Sequence, residues 1–206
     1  MGKIFAGVAL GALMTAATAC SGSETAKPAQ AGETAKTETM DMAKPAAAPA
    51  DDAGKIQSAM SAAPEAVGKG AAIMDMAADG SMKELRAGTN GFTCLPDNPA
   101  TPGPDPMCTD ANGMLWMDAM LKKQPPPAGK AALMYMLAGG TDASNTDPYA
   151  AAPTAYNHWI KTGPHIMVMG ATEMLAGYPA SPDPDTSKPY VMWAGTPYAH
   201  IMMPVK

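Results

Sequence analysis

Hydrophobic and polar positions divide this chain into three stretches. From Ile4 to Ala19 the residues are apolar and small. From Ser21 to about Asp52 they are Ala, Thr, Pro, Lys, Glu and Ser, with almost no large apolar side chain. From about Lys55 to Lys206, short apolar runs alternate with Gly- and Pro-rich punctuation. The last stretch, about 150 residues, suits one domain with a real core. It contains no repeat at a solenoid period.

Within that domain the runs predict a series of short elements. Lys55 to Met60 reads as a short helix limited by Pro64. Ala71–Met76 and Met82–Arg86 read as strands joined through Asp79-Gly80, a hairpin signal. Asn90-Gly91 is a second turn before Phe92–Leu95, and a loop with five prolines follows. Leu115 to Lys122 is the clearest amphipathic helix, with Leu115, Trp116, Ala119 and Met120 at helical spacing. Ala131–Leu137 is apolar without alternation, which fits a central strand. A short helix is expected over Thr154–Lys161 and another at Ala171–Leu175. Strands are expected at Tyr190–Trp193 and in two runs near the C-terminus, Pro164–Met169 and Ala199–Met203. Strands paired by short turns, with two or three helices packed on them, make an α+β domain with a mainly antiparallel sheet.

The first stretch changes where this domain is expected to live. Lys3, a short apolar core and small residues before Cys20 have the layout of a secretory signal, and the core is short for a membrane span. Ala17-Thr18-Ala19-Cys20 resembles the lipobox of bacterial lipoproteins, with Ala17 where Leu is commoner. That resemblance implies a signal peptide over 1–19, cleavage before Cys20 and a lipid on its sulfur. With Ser21 following, it also implies sorting to the outer membrane, facing the periplasm. The alternative is an ordinary signal peptide with Cys20 incidental. Residues 20–54 then form a disordered tether, too poor in apolar residues to fold, with an r.m.s. span of roughly 30 Å. The globular domain is expected over 55–206. The net charge of −5 is spread between tether and domain with no basic patch, which argues against nucleic acid as a partner.

Outside the cytoplasm, Cys94 and Cys108, fourteen residues apart, are expected to form a disulfide. A reactive or metal-binding pair is the alternative, but no zinc spacing accompanies them. The bridge is expected to pin the Pro-rich loop to the start of the Leu115 helix.

Candidate chemistry centres on methionine. The chain has twenty, against two phenylalanines. His165-Ile166-Met167-Val168-Met169 and His200-Ile201-Met202 place a histidine two residues before a methionine. In a strand, residues i and i+2 share a face, so His165, Met167 and Met169 share one face, and His200 and Met202 another. Imidazole and thioether are soft ligands that favour Cu(I), and the H-x-M spacing resembles ligand pairs of some periplasmic copper chaperones. The competing reading is that methionine fills the core in place of Phe, Leu and Ile. His158, Trp159, Trp193 and Tyr198 are candidates for lining a small-molecule pocket, or equally for core residues with polar tips. Ser144, Asp147 and His158 have no local signature of a nucleophile system, and no phosphate-binding glycine loop is present.

From Thr89 onward the chain carries the motifs Asn90-Gly91-Phe92-Thr93-Cys94, Asp105-Pro106-Met107-Cys108, Ser144-Asn145-Thr146-Asp147-Pro148, Gly163-Pro164-His165 and Gly195-Thr196-Pro197-Tyr198. As a run they resemble an uncharacterised family of secreted bacterial proteins. The resemblance implies one ordered unit and no particular activity. Three functions follow in order of expectation. The first is a non-enzymatic envelope lipoprotein whose domain binds a protein partner or small ligand. The second is a Cu(I)-binding protein using His165, Met167, Met169, His200 and Met202. The third is an envelope hydrolase.

Overall fold

Asp51 starts the first element. Its carboxylate accepts a hydrogen bond of 2.7 Å from the Gly54 amide and caps α1 (Asp52–Ser61). The computed structural model describes residues 51–101 and 103–205, so the expected signal peptide, Cys20 and nearly all of the tether lie outside the described residues. The helix nevertheless begins before the expected domain boundary at Lys55, because the cap lies in Asp51-Asp52. A single turn, α2 (Glu65–Gly68), follows Pro64.

β1 (Ala72–Met76) and β2 (Met82–Arg86) form the expected antiparallel hairpin, with Gly80 at φ +81° in its turn. β3 (Phe92–Leu95) lies on the other side of β1 and parallel to it. β4 (Met107–Asp110), for which the sequence gives no strand signal, follows the Pro-rich loop and pairs antiparallel with β3. Four residues are too few to show a period of two. Cys94 and Cys108 are register partners in these strands and are disulfide-bonded. The bridge therefore staples strand to strand, a closure worth roughly 3 kcal/mol in the chain-entropy model.

β4 runs directly into α3 (Ala111–Leu121). Asp110 accepts from the Gly113 amide as N-cap and from the Leu133 amide on the next strand, tying helix to sheet. β5 (Ala132–Met136) is central, as its apolar run predicted. β6 (Ala143–Ser144) and β7 (Trp159–Ile160) form a separate two-stranded ribbon. The expected helix over Thr154–Lys161 is absent. There the Asn157 side chain bonds the Thr154 amide and the Ala152 carbonyl, and His158 takes φ +46°, so the chain turns and then enters β7. β8 (His165–Met169), a 3-10 helix at Thr172–Gly177, β9 (Tyr190–Met192) and β10 (His200–Pro204) complete the domain.

The main sheet has the order β2-β1-β3-β4-β5-β8-β10-β9 and is antiparallel except at β1–β3. Alternation divides its side chains between two faces. One buries Ile73, Cys94 and Cys108 under Ala59, Ala62 and Ala63 of the α1 region. The other buries Met134, Met136 and Met169 with Trp116 and Met117 of α3. Among the described residues no helix is long and apolar enough to cross a membrane.

Candidate functional site

The second face carries the histidines and methionines. The register sets Met134 of β5 opposite Met167 of β8, Met167 opposite Met202 of β10, and Met202 opposite Tyr190 of β9. Directly paired residues point to one face, so these side chains form a row across four strands. His165 lies in the next row, between Met136 and Pro204. His200 lies on the far side, opposite Met192. The two histidines thus flank the Met167–Met202 pair along the strand direction.

A cavity of about 250 Å³ opens above this row. His165 and His200 both line it, together with nine methionines. Five come from the sheet just described: Met134, Met136, Met167, Met192 and Met202. Met117 and Met120 come from α3, Met76 ends β1, and Met107 begins β4. Its wall is almost wholly apolar; besides the imidazoles and the indoles of Trp116 and Trp193, the residues with polar side chains are Asp105, Thr141 and Thr162.

Each imidazole is held in the same way. The Nδ1 of His165 is 2.7 Å from the Gly163 carbonyl, and that of His200 is 2.9 Å from the Tyr198 carbonyl. A carbonyl only accepts, so Nδ1 carries the proton in both neutral rings and Nε2 keeps the lone pair. His200 is 1% exposed, and its Nε2 is buried with no hydrogen-bond partner. Leaving such an atom unpaired costs about 1–3 kcal/mol, so it calls for an explanation. Burial pushes the His200 imidazole down to about 4, and the nearby His165 adds to the effect. Burial also lowers His165, against the Gly163 carbonyl that raises it. Both rings are therefore neutral near pH 7, with lone pairs free for a Lewis acid.

Aromatic residues fix the His200 end. Trp116 of α3 stacks on Trp193 with ring centroids 6.2 Å apart and planes 6° from parallel. His200 meets both edge-on, at 5.7 Å and 4.9 Å. Trp193 sits at φ +54°, a left-handed conformation that is costly for a bulky residue. Two bonds hold it there: its amide donates to the Asn145 carbonyl and its indole Nε1 to the Ser144 carbonyl.

Of the residues singled out in the sequence, His165, Met167, His200, Met202 and Trp193 come together here. Met169 does not line the cavity; it is fully buried in the core against Ala132. Tyr198 stands behind Trp116, where its hydroxyl donates to the Gln124 carbonyl and accepts from Tyr149. His158 and Trp159 lie apart at the β6–β7 ribbon, and His158 faces Asp183 at 2.9 Å. Ser144, Asp147 and His158 do not assemble. The Ser144 hydroxyl is buried and donates to the Asn157 carbonyl, while Thr196 donates to the Trp193 carbonyl. Nothing in the local sequence marks Met76, Met107, Met117, Met120, Met134, Met136 and Met192 as pocket residues beyond their abundance, whereas Trp116, an aromatic candidate for a pocket, does line it. The one exception is that Met134-Tyr135-Met136 repeats the i, i+2 spacing of the two His-Met runs.

Among the described residues no three His, Cys, Asp or Glu side chains cluster as a metal site. The donors gathered here are soft ones. The chain matches no family model, no curated protein and no solved structure.

Proposed function

We propose that this is a non-enzymatic lipoprotein of the cell envelope, anchored through Cys20 in the outer membrane, whose domain binds Cu(I). The ligands are the thioethers of Met167 and Met202 with the imidazoles of His165 and His200 on either side. The observation that carries this reading is the Nε2 of His200, buried without a partner in the wall of a methionine-lined cavity. A lone pair in that setting suits a soft monovalent cation. Thioether sulfur and imidazole bind Cu(I) well and suit Mg or Ca poorly. The backbone carbonyls behind each Nδ1 orient the rings as outer partners of ligating histidines usually do. The expected location outside the cytoplasm, with the cysteines tied in a disulfide, leaves the thioethers without a competing thiolate.

The test is anaerobic Cu(I) titration of the purified domain against a competing chelator. His200→Ala and Met202→Leu are each expected to weaken binding by about 10–100-fold, with His165→Ala similar. Met202→Leu conserves core volume, so its effect separates ligation from folding. Unchanged affinity in all three variants, or binding of an apolar molecule but not of Cu(I), overturns the reading.

A substitution beside the ligands gives a second check. A Cβ on Gly140 would lie 2.5 Å from the Thr162 Oγ1 and 2.8 Å from the His165 Cε1. Gly140→Ala is therefore expected to displace the imidazole from the Gly163 carbonyl and weaken Cu(I) binding by about tenfold while the fold survives. Wild-type affinity in a folded Gly140→Ala domain would remove His165 from the ligand set.

A further inference from the structure

The ligand set has an outer side. A second cavity, of about 420 Å³, adjoins the methionine cavity on the same sheet face. Thr162, His165 and Met202 stand in the walls of both. Met167 and His200 line the inner cavity alone. The outer cavity is otherwise bounded by the Gly163-Pro164 turn, the Thr186-Ser187 loop, Tyr190 of β9 and Pro204-Val205 at the end of β10. Gly163 is also the residue whose carbonyl orients His165. Anything entering the outer cavity meets the backbone group that holds that imidazole in place.

Resting on the Cu(I) reading, we propose that the metal is exchanged through this outer cavity, delivered and removed as its complex with a low-molecular-weight thiol. His165 and Met202 are the exchanging ligands; His200 and Met167 retain the ion from the buried side. A cavity of this size is in the usual range for a small-molecule site. Its own lining includes Thr186 and Ser187 but no free thiol, so the incoming donor must be brought by the carrier. On unloading, a carrier thiolate forms a bond to copper as the bond to His165 Nε2 or to the Met202 sulfur breaks. The released side chain keeps its lone pair, and copper stays Cu(I), so no oxidant or reductant takes part. The thiolate sulfur is the stronger donor for Cu(I), so a thioether or imidazole at the partition can be displaced without unfolding the site.

The methionine cavity has a rival opening beside α3, where Leu121 lines it and is 53% exposed. The two routes are separated by blocking each. Ser187 is exposed, so Ser187→Trp fills the outer cavity without entering the core; Thr186→Trp is the second variant should the first misfold. Leu121→Trp obstructs the rival opening. Transfer of Cu(I) from its glutathione complex to the full domain, and back to excess glutathione, is followed anaerobically by stopped flow. In Ser187→Trp both rates are expected to fall by about tenfold or more with the equilibrium affinity nearly unchanged, because a blocked route slows entry and exit alike. Leu121→Trp should leave both rates as in the wild type. Wild-type rates in both outer-cavity variants, or slowing by Leu121→Trp instead, overturn the route while leaving the site intact. A wild-type domain that takes up no Cu(I) at all overturns the function on which the route rests.

Discussion

Trp116→Ala is expected to destabilise the domain by about 3–5 kcal/mol, the usual range for emptying a large aromatic site in a core. The side chain is 5% exposed and belongs to the cluster that joins α3 to the sheet. It touches three rings at once, stacking on Trp193 and meeting Tyr198 and His200 edge-on. Each such aromatic pair adds about 0.5–1.5 kcal/mol beyond area burial. The void would border the existing cavity, so the surroundings have little to collapse onto and relaxation should recover little. Urea denaturation followed by far-UV circular dichroism measures the loss. Trp116→Phe should retain much of the stability, because the T-shaped contacts survive a smaller ring. A loss below about 1 kcal/mol in Trp116→Ala would mean that α3 is held to the sheet by other contacts. The same change should weaken Cu(I) binding, since it removes one of the two indoles that confine His200.

Metal-free domain is expected to lose stability as the pH falls from about 6.5 to about 4, and the imidazoles are the cause. Burial holds His200 at about 4 in the folded state, against the ordinary value of 6.5. Between those pH values the unfolded chain binds a proton at this residue and the folded chain does not. Stability therefore rises with pH across the window, is fully present above 6.5, and is lost progressively as the pH falls toward 4. For His200 alone the difference amounts to about 3 kcal/mol. His165, also lowered by burial, adds a loss of the same sign. Asp105 acts in the opposite direction. Burial raises its carboxyl to about 6, so its protonation on acidification favours the folded state. The difference between wild type and His200→Leu across the pH series isolates the histidine contribution. A pH series in which the two differ by a constant amount would mean that His200 is solvated in the folded protein.

The sequence was legible where a single element carries the signal. The β1–β2 hairpin followed from Asp79-Gly80, and β5 followed from its continuous apolar run. The Cys94–Cys108 bridge followed from two cysteines fourteen residues apart with no zinc spacing beside them. Short elements without a period were not legible, as β4 and the ribbon strand β7 illustrate. A short helix is expected over 154–161, yet the Asn157 side chain bonds the Thr154 amide and the Ala152 carbonyl and turns the chain there.

The candidate site divides in the same way. Sequence alone determined that His165 shares a face with Met167 and that His200 shares one with Met202, because side chains on a strand repeat every two residues. It could not determine whether these faces were one face. That was decided by the pairing of β8 with β10, which sets Met167 against Met202 and leaves a histidine on either side. Nor could it tell methionines that fill volume from those that line a cavity. Met169 is core and Met167 is not, although they are two residues apart on the same strand face. The difference lies in what covers them, which depends on α3 and on strands brought together by long-range pairing. The unpartnered Nε2 of His200 is likewise a property of the assembled domain. Local sequence places the imidazole on a strand, but only packing against Trp116 and Trp193 removes it from water.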